Sequence, residues 1–335
     1  MDRRRSLEPL QNSKPELEPG SNLRHHAGCM LGFFIRRLLS AIVVLWLAAS
    51  ITFVLMRSIR GGPFTSEKAG SEKAIAAKME RFHLDGSLWE QYSAYMRALA
   101  TFDLGDSTKY LDWRVSELLA QKMPTSLTLG MVAFIIASIG GVLLGAMSAL
   151  WRDTWVDRTA MIGALVAISV PTFVTGPLLI ALVALWLGWL PVGGWGTTRQ
   201  LVLPSLCLAA PYVAYVARLM RNSLLDVLAS DFLRTAKAKG LRDGQALMRH
   251  AMKVAILPVV TFLGPLAAHL LTGSMVVESV FNISGAGSIF VNSIQNHDVF
   301  LLGGAVIVYC VLLQLFNLVV DVLYGVLDKR IRVYG

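Results

Sequence analysis

The chain has 335 residues, of which 55% are hydrophobic and only 16% charged, with a mean hydropathy of +0.57. A soluble domain carries roughly 25% charged residues to cover its surface, so this composition excludes an ordinary globular protein. The formal charge of +9 suggests a nucleic-acid partner, but its distribution along the chain assigns it to membrane orientation instead.

Residues 1–29 are rich in arginine, proline and acids and poor in bulky apolar side chains. Such a segment lacks the apolar area to fold, so a mobile N-terminal extension is expected ahead of a membrane domain over 30–335. A cleaved signal peptide is not expected: the apolar run after Arg37 is too long and no A-x-A-like site follows. Six apolar runs then read as transmembrane helices: Leu38–Met56, Pro124–Leu150, Thr159–Leu187, Gln200–Ala217, Val254–Val277 and Val299–Val320. Runs of about 18 residues or more suffice to cross a hydrocarbon core roughly 30 Å thick. Helices are preferred because lipid offers no partners to backbone polar groups; the alternating polarity of barrel strands is absent from stretches such as Phe134–Leu144. Pro171, Pro177, Pro211, Pro258 and Pro265 lie within runs and are expected to kink them. The predicted fold class is therefore all-α, an integral membrane bundle of six helices.

The uncharged stretch 159–198 spans 40 residues and has room for two spans. Lys and Arg decide against this. With six spans, segments 1–37, 151–158, 218–253 and 329–335 hold 20 basic residues on one side, while short loops 188–199 and 281–298 hold only Arg199. The positive-inside bias puts the first set, and both termini, in the cytoplasm. The outer segment 59–122 is long enough to escape that bias. Its Leu88, Tyr92, Tyr95 and Leu99 recur at helical spacing and predict an amphipathic helix, either a cap on the outer membrane face or a docking surface. Cys29, Cys207 and Cys310 lie far apart and form no CxxC pair, so neither a disulfide framework nor a zinc cluster is indicated.

The inner loop 218–253 is the most informative region. Leu225, Leu228, Phe232 and Ala236 are three or four residues apart and predict one apolar stripe on one helix. Arg234, Lys237 and Lys239 lie off the stripe, Gly240 is a helix stop, and Asp243 can cap a second helix through Leu247 and His250. On physics alone this is either a membrane-surface helix or a partner-binding hairpin. The run Arg234-Thr235-Ala236-Lys237-Ala238-Lys239-Gly240-Leu241, followed by Arg249-His250-Ala251 and Ile256-Leu257-Pro258, resembles the cytoplasmic coupling loop of binding-protein-dependent ABC permeases. The resemblance is closest to their peptide and nickel branch. Arg234-Thr235-Ala236 stands where the family pattern has Glu-Ala-Ala, and the Ile-x-Leu-Pro of other branches, which would fall on 250–253, is absent. Phe82-His83-Leu84-Asp85, Phe102-Asp103-Leu104-Gly105-Asp106-Ser107, Thr272-Gly273-Ser274-Met275-Val276-Val277-Glu278 and Gly285-Ala286-Gly287 also resemble family segments. Gly61-Gly62-Pro63-Phe64-Thr65 and Leu190-Pro191-Val192-Gly193-Gly194-Trp195 are similar to the B-type membrane subunit of oligopeptide permeases.

The resemblance implies a subunit that pairs with a second, homologous permease subunit to enclose half of a translocation path. Two ATP-binding subunits supply the energy, and an external peptide-binding protein delivers the cargo. Phe232, Arg234, Thr235, Ala236, Lys237, Gly240, Leu241 and His250 are the implied ATPase-coupling residues, within 229–253. The sequence has no G-x-x-x-x-G-K-[ST] phosphate loop, no HExxH and no G-x-S-x-G, so no enzymatic activity and no cofactor are expected. Gly285-Ala286-Gly287 reads as turn chemistry. His269, Glu278 and Asp321 are ionisable residues in or near spans, where exposure to lipid is costly. Glu278 and Asp321, near span ends, fit structural hydrogen bonds, with Asn317 one turn before Asp321. His269, mid-span, is open to a path-facing role, and no second ligand one turn away supports metal binding. The alternatives are a dipeptide or nickel permease subunit, and, of another class, an ion-gradient-driven secondary transporter or a non-transporting scaffold. An ion-driven carrier would carry inverted repeats, and none is evident.

Overall fold

The computed structural model describes residues 21–58, 86–107, 109–110, 113–272, 274–296 and 298–327. Among these, regular structure is helical, apart from a single bridge between Asp106 and Arg114. In chain order the helices are α1 (Ser21–Ser58), α2 (Leu88–Ala100), α3 (Val115–Leu150), α4 (Trp155–Ser169) and α5 (Thr172–Leu179), the last continued by π turns over Ile180–Trp186. Then come α6 (Thr198–Ala229), α7 (Asp231–Ala238), α8 (Asp243–Ala246), π turns over Leu247–Ala251, and α9 (Met252–Ala255). The chain continues through α10 (Leu257–Thr272), α11 (Met275–Val280), α12 (Ala286–Gln295) and α13 (Val299–Leu327).

The bundle is organised around the parallel pair α3–α6. Gly130, Ala133, Ala137, Gly141, Gly145 and Ser148 recur every three or four residues along one buried face of α3. A side chain there would collide with the partner helices: a Cβ on Gly141 would lie 2.5 Å from Cβ of Val216, and one on Gly145 2.8 Å from Cβ of Met220. Lipid tails are as apolar as leucine, so helices associate in a membrane by close packing, and small residues allow it. Leu203, Leu208, Val216, Met220 and Leu224 fill the α6 side of this core, and Leu266 and Leu270 close it from α10. Helix α1 is peripheral. Only 11% of its most apolar window is buried within the chain, against 50% for α6.

Met56 near the end of α1 meets Gly303 near the start of α13, and Ser50 bonds to Tyr92 of α2. Crossing helices therefore alternate in direction. The start of α1, the turn 151–154 and the segment α7–α9 share one end of the bundle, called here the hairpin end. The strap 103–110, the loop 188–196 and α11–α12 share the other.

Several expected boundaries shift. Helix α1 starts at Ser21, inside the expected extension; residues 1–20 lie outside the described residues. The second span starts at Val115, not at Pro124, which lies inside the helix, as prolines can in membrane-spanning helices. The third is not one kinked helix. Its two parts meet at 112°, where Val170 and Pro171 take extended backbone (ψ 121 and 144), the conformation that proline imposes on itself and on its predecessor. The fourth is long, 32 residues, because its second half is covered by α3 and α4. The fifth bends by 45° at Ile256, ahead of Pro258, and 275–277 belong to the separate helix α11. Among the described residues, four helices are long and apolar enough to cross a bilayer alone; each bent pair taken as one span makes up to six.

Candidate functional site

The hairpin is built at the root of α6. That helix ends at Ala229, where Ser230 turns to extended backbone (ψ 149) and α7 departs. The expected single stripe is thereby divided between two helices. Leu225 and Leu228 pack with α6, while on α7 it is Leu233 and Ala236 that are buried, and Phe232 is 52% exposed. The break rotates the stripe, so a period that counts through Ser230 misassigns Phe232 to the core. Gly240 closes the turn at φ +90, a left-handed conformation that glycine adopts without steric cost. The return limb buries Ala246, Ala251 and Ala255 and exposes Met248, Arg249 and Lys253. The rings of Phe232 and His250 meet with centroids 6.0 Å apart, tying the two limbs together. Arg234 is exposed and pairs with Asp231 at 3.2 Å, Thr235 is exposed with its hydroxyl on the Asp231 carbonyl, and Leu241 is half-buried. Lys237 lies on α7. Phe232, Arg234, Met248 and Arg249 are thus the large side chains left exposed along the two limbs.

The opposite end is held by buried carboxylates. Glu278, at 0% exposure, accepts hydrogen bonds from the hydroxyls of Ser126 on α3 (2.6 Å) and Ser274, and from the amide of Gly287 (2.9 Å). Ser126 in turn accepts from the Ala286 amide at 2.8 Å. Gly285-Ala286-Gly287 therefore does more than turn the chain: Gly285 caps α12, and the two following amides point at Glu278 and Ser126. Asp298 makes a second such node. It caps α13 through the Leu301 amide (3.1 Å), accepts from the Ser107 hydroxyl and takes the Lys109 amide at 3.3 Å. The run 102–107 is thus a strap pinned to the start of the last helix, with Leu104 packed among Val115, Ile289 and Phe300. In the loop 188–196, the Gly194 amide bonds to the Phe281 carbonyl at 2.9 Å.

Helix α2 begins on a capping box, Ser87 with Glu90, and realises the expected amphipathic helix. Tyr92 bonds to Ser50 at 2.8 Å, and the rings of Tyr92 and Tyr95 pack on Phe53. Burial pushes the Tyr95 phenol up to about 12, so it stays neutral across the physiological range.

His269 is exposed on α10, its ring 5.6 Å from that of Tyr212 on α6; Tyr215 and Phe262 repeat the contact lower down at 6.4 Å. Asp321 lies on α13, and its side chain falls outside the described residues.

One node escaped the sequence reading. Asp157, on the first turn of α4, is gripped by the Arg221 guanidinium, Nε to Oδ1 and Nη2 to Oδ2, both at 2.7 Å. Ser148, at the end of α3, donates to the same carboxylate, and the Asp153 amide adds a bond at 3.0 Å. Both charges sat in basic inner segments, where the positive-inside count treats them as solvated. The small-residue stripe ending on Ser148 was the available signal.

The described residues thus form an all-α bundle with four to six candidate membrane spans, the fold of a multi-pass membrane protein. Residues 141–333 match the binding-protein-dependent transport system inner membrane component family, and residues 30–112 match its N-terminal companion; the chain belongs to this family. It is 43% identical over 305 residues to the oligopeptide transport system permease protein OppB of Haemophilus influenzae, covering 90% of this chain and 100% of that one. The OppB of Salmonella typhimurium is 42% identical over the same lengths. The dipeptide transport system permease protein DppB of Bacillus subtilis is 39% identical, over 91% of this chain and 99% of that one. A chain of the MetNI methionine ABC transporter, solved in inward-facing conformations, superposes with a TM-score of 0.55 at 16% identity, over 64% of this chain and 98% of that chain. That likeness concerns the fold alone. These relatives are permease subunits and not catalysts: in an ABC importer, ATP-binding subunits and a permease partner complete the complex.

Proposed function

We propose that this chain is the transmembrane subunit of an ATP-driven importer that carries oligopeptides across a bacterial cytoplasmic membrane. The observation that carries this reading is the colinear identity to oligopeptide permeases over their full length. A dipeptide cargo is the second reading, favoured by the 39% identity to a dipeptide permease. The broken third crossing does not support an ion-driven carrier, because family membership already accounts for the chain from 141 to 333.

In this reading the membrane domain is 30–335 and residues 1–29 are dispensable for transport. The hairpin end faces the cytoplasm with both termini, consistent with the 20 basic residues on that side. The hairpin around Phe232, Arg234, Thr235, Ala236, Lys237, Gly240, Leu241 and His250 seats on one of two ATP-binding subunits, and an external peptide-binding protein loads the opposite end. Between them, Tyr212, Tyr215, Phe262 and His269 form a ladder on α6 and α10, in which Tyr212 and Phe262 pack against the core and Tyr215 and His269 are exposed. Hydroxyl and imidazole groups at that depth are costly against lipid, which favours a path shared with the second permease subunit. Glu278 and Asp321 serve structure in this scheme, not cargo.

Replacing Gly240 by isoleucine tests the hairpin. Left-handed backbone costs a side-chain-bearing residue about 1–2 kcal/mol, and a β-branched one is among the least tolerant. Peptide uptake by the reconstituted complex is expected to fall at least tenfold, with reduced co-purification of the ATP-binding subunits. Normal uptake with intact assembly would refute the assignment. Offering dipeptides and longer peptides to the same complex separates the two cargo readings.

A further inference from the structure

The pair α3–α6 poses a mechanical problem. Its groove of glycine and alanine fixes how close the helices come, but such a surface has little to fix their axial register, since one small residue replaces another after a slip of a turn. The directional link along this seam lies at the hairpin end. There Arg221 of α6 holds Asp157 of α4 in two parallel bonds of 2.7 Å, and Ser148 of α3 and the Asp153 amide complete the carboxylate's shell. Each carboxylate oxygen thus receives two donors, from three elements that converge on one buried side chain, 4% exposed. A guanidinium and a carboxylate in this fork have fixed relative orientation as well as distance.

Arg221 lies nine residues before the Ser230 break, roughly 14 Å along the helix. Whatever moves the hairpin moves this stretch of α6 first. We infer that the Asp157–Arg221 fork is the positioning element that makes α3, α4 and α6 follow the hairpin as one body, and so sets how much transport each ATP cycle yields. The inference rests on the hairpin being the ATPase seat. Neither residue belongs to the seat: both lie in the bundle, one at the start of α4 and one inside α6. With the fork cut, the hairpin still docks and the ATPases still turn over, but α6 slips in its smooth groove and α3–α4 lag behind.

Asp157→Asn keeps the shape and removes the charge. In the complete complex, reconstituted with its partner subunits, it is expected to leave assembly and basal ATP hydrolysis within about twofold of the parent while peptides imported per ATP fall tenfold or more. Asp157→Glu, which retains a two-oxygen acceptor, should recover most of that ratio. An unchanged ratio in Asp157→Asn would overturn the inference. So would a loss of uptake that merely tracks a loss of assembled complex, since the fork would then be a staple; Ser148→Ala, which withdraws one neutral donor only, repeats the comparison in a milder background and should lower the ratio about two- to threefold with assembly intact. The Gly240→Ile variant separates the two ideas: its normal assembly and uptake would remove the seat, whereas an unaffected ratio in Asp157→Asn removes only the fork.

Discussion

At the end of the bundle that carries Glu278 and Asp298, buried carboxylates gather donors from distant parts of the chain: Ser126 and Gly287 on one, Ser107 and the cap of α13 on the other. At the hairpin end beyond Ser230, the limbs are held by a few small residues, the Leu233 anchor and one ring contact, Phe232 with His250. Buried polar networks are rigid when fully satisfied and costly when partly satisfied, so the first end resists deformation. The second presents its large side chains outward instead of spending them on its own core. The contrast suits the proposed role, in which an ATP-driven partner displaces the hairpin while the other end holds its architecture.

The comparison can be broken most severely at Glu278. Glu278→Leu leaves two hydroxyls and an amide without their acceptor in a dry interior, where each unsatisfied group costs about 1–3 kcal/mol. Thermal unfolding in detergent is expected to show a loss of about 3 kcal/mol or more, with Glu278→Gln losing less because one oxygen remains to accept. A wild-type midpoint in the leucine variant would mean that the network is not what holds this end. A smaller effect is expected at Asp298. Asp298→Asn sets an amide against the donors of Ser107 and Lys109 and should cost about 1–2 kcal/mol; limited proteolysis would read the release of the strap as faster cleavage within 103–113. The smallest effect on stability belongs to Phe232. Half-exposed, it should lose no more than about 1 kcal/mol on truncation to alanine, yet uptake should fall several-fold because the hairpin loses its exposed aromatic side chain. If Phe232→Ala proves as destabilising as Glu278→Leu, the two ends are not built differently.

Much of the fold was legible before any coordinates. Apolar runs gave the membrane class and the helical fold, and the Leu88–Leu99 period gave α2. The hairpin was legible through Gly240, whose φ of +90 is the conformation that a helix-stopping glycine supplies. What misled was periodicity carried across a break. Leu225 to Ala236 looks like one stripe, but Ser230 interrupts it, and Leu233 takes the buried place assigned to Phe232. Likewise the 112° turn at Val170–Pro171 is a property of where α5 packs, against Cys207 and Val280, as much as of the proline itself. Other prolines, such as Pro204 and Pro211, are absorbed within α6 without ending it.

The sequence by itself determined that the chain is helical and apolar enough to live in a membrane, and where its basic loop turns. Those properties are sums over local composition, and composition is what lipid and the membrane potential act on. Only the tertiary structure decided which polar residues meet. Ser126 and Glu278 lie 152 positions apart, Ser107 and Asp298 lie 191, and Asp157 and Arg221 lie 64. A carboxylate's partner in a dry interior is fixed by which helices the small-residue grooves bring together, and that is a property of the packed bundle that no local window of sequence contains.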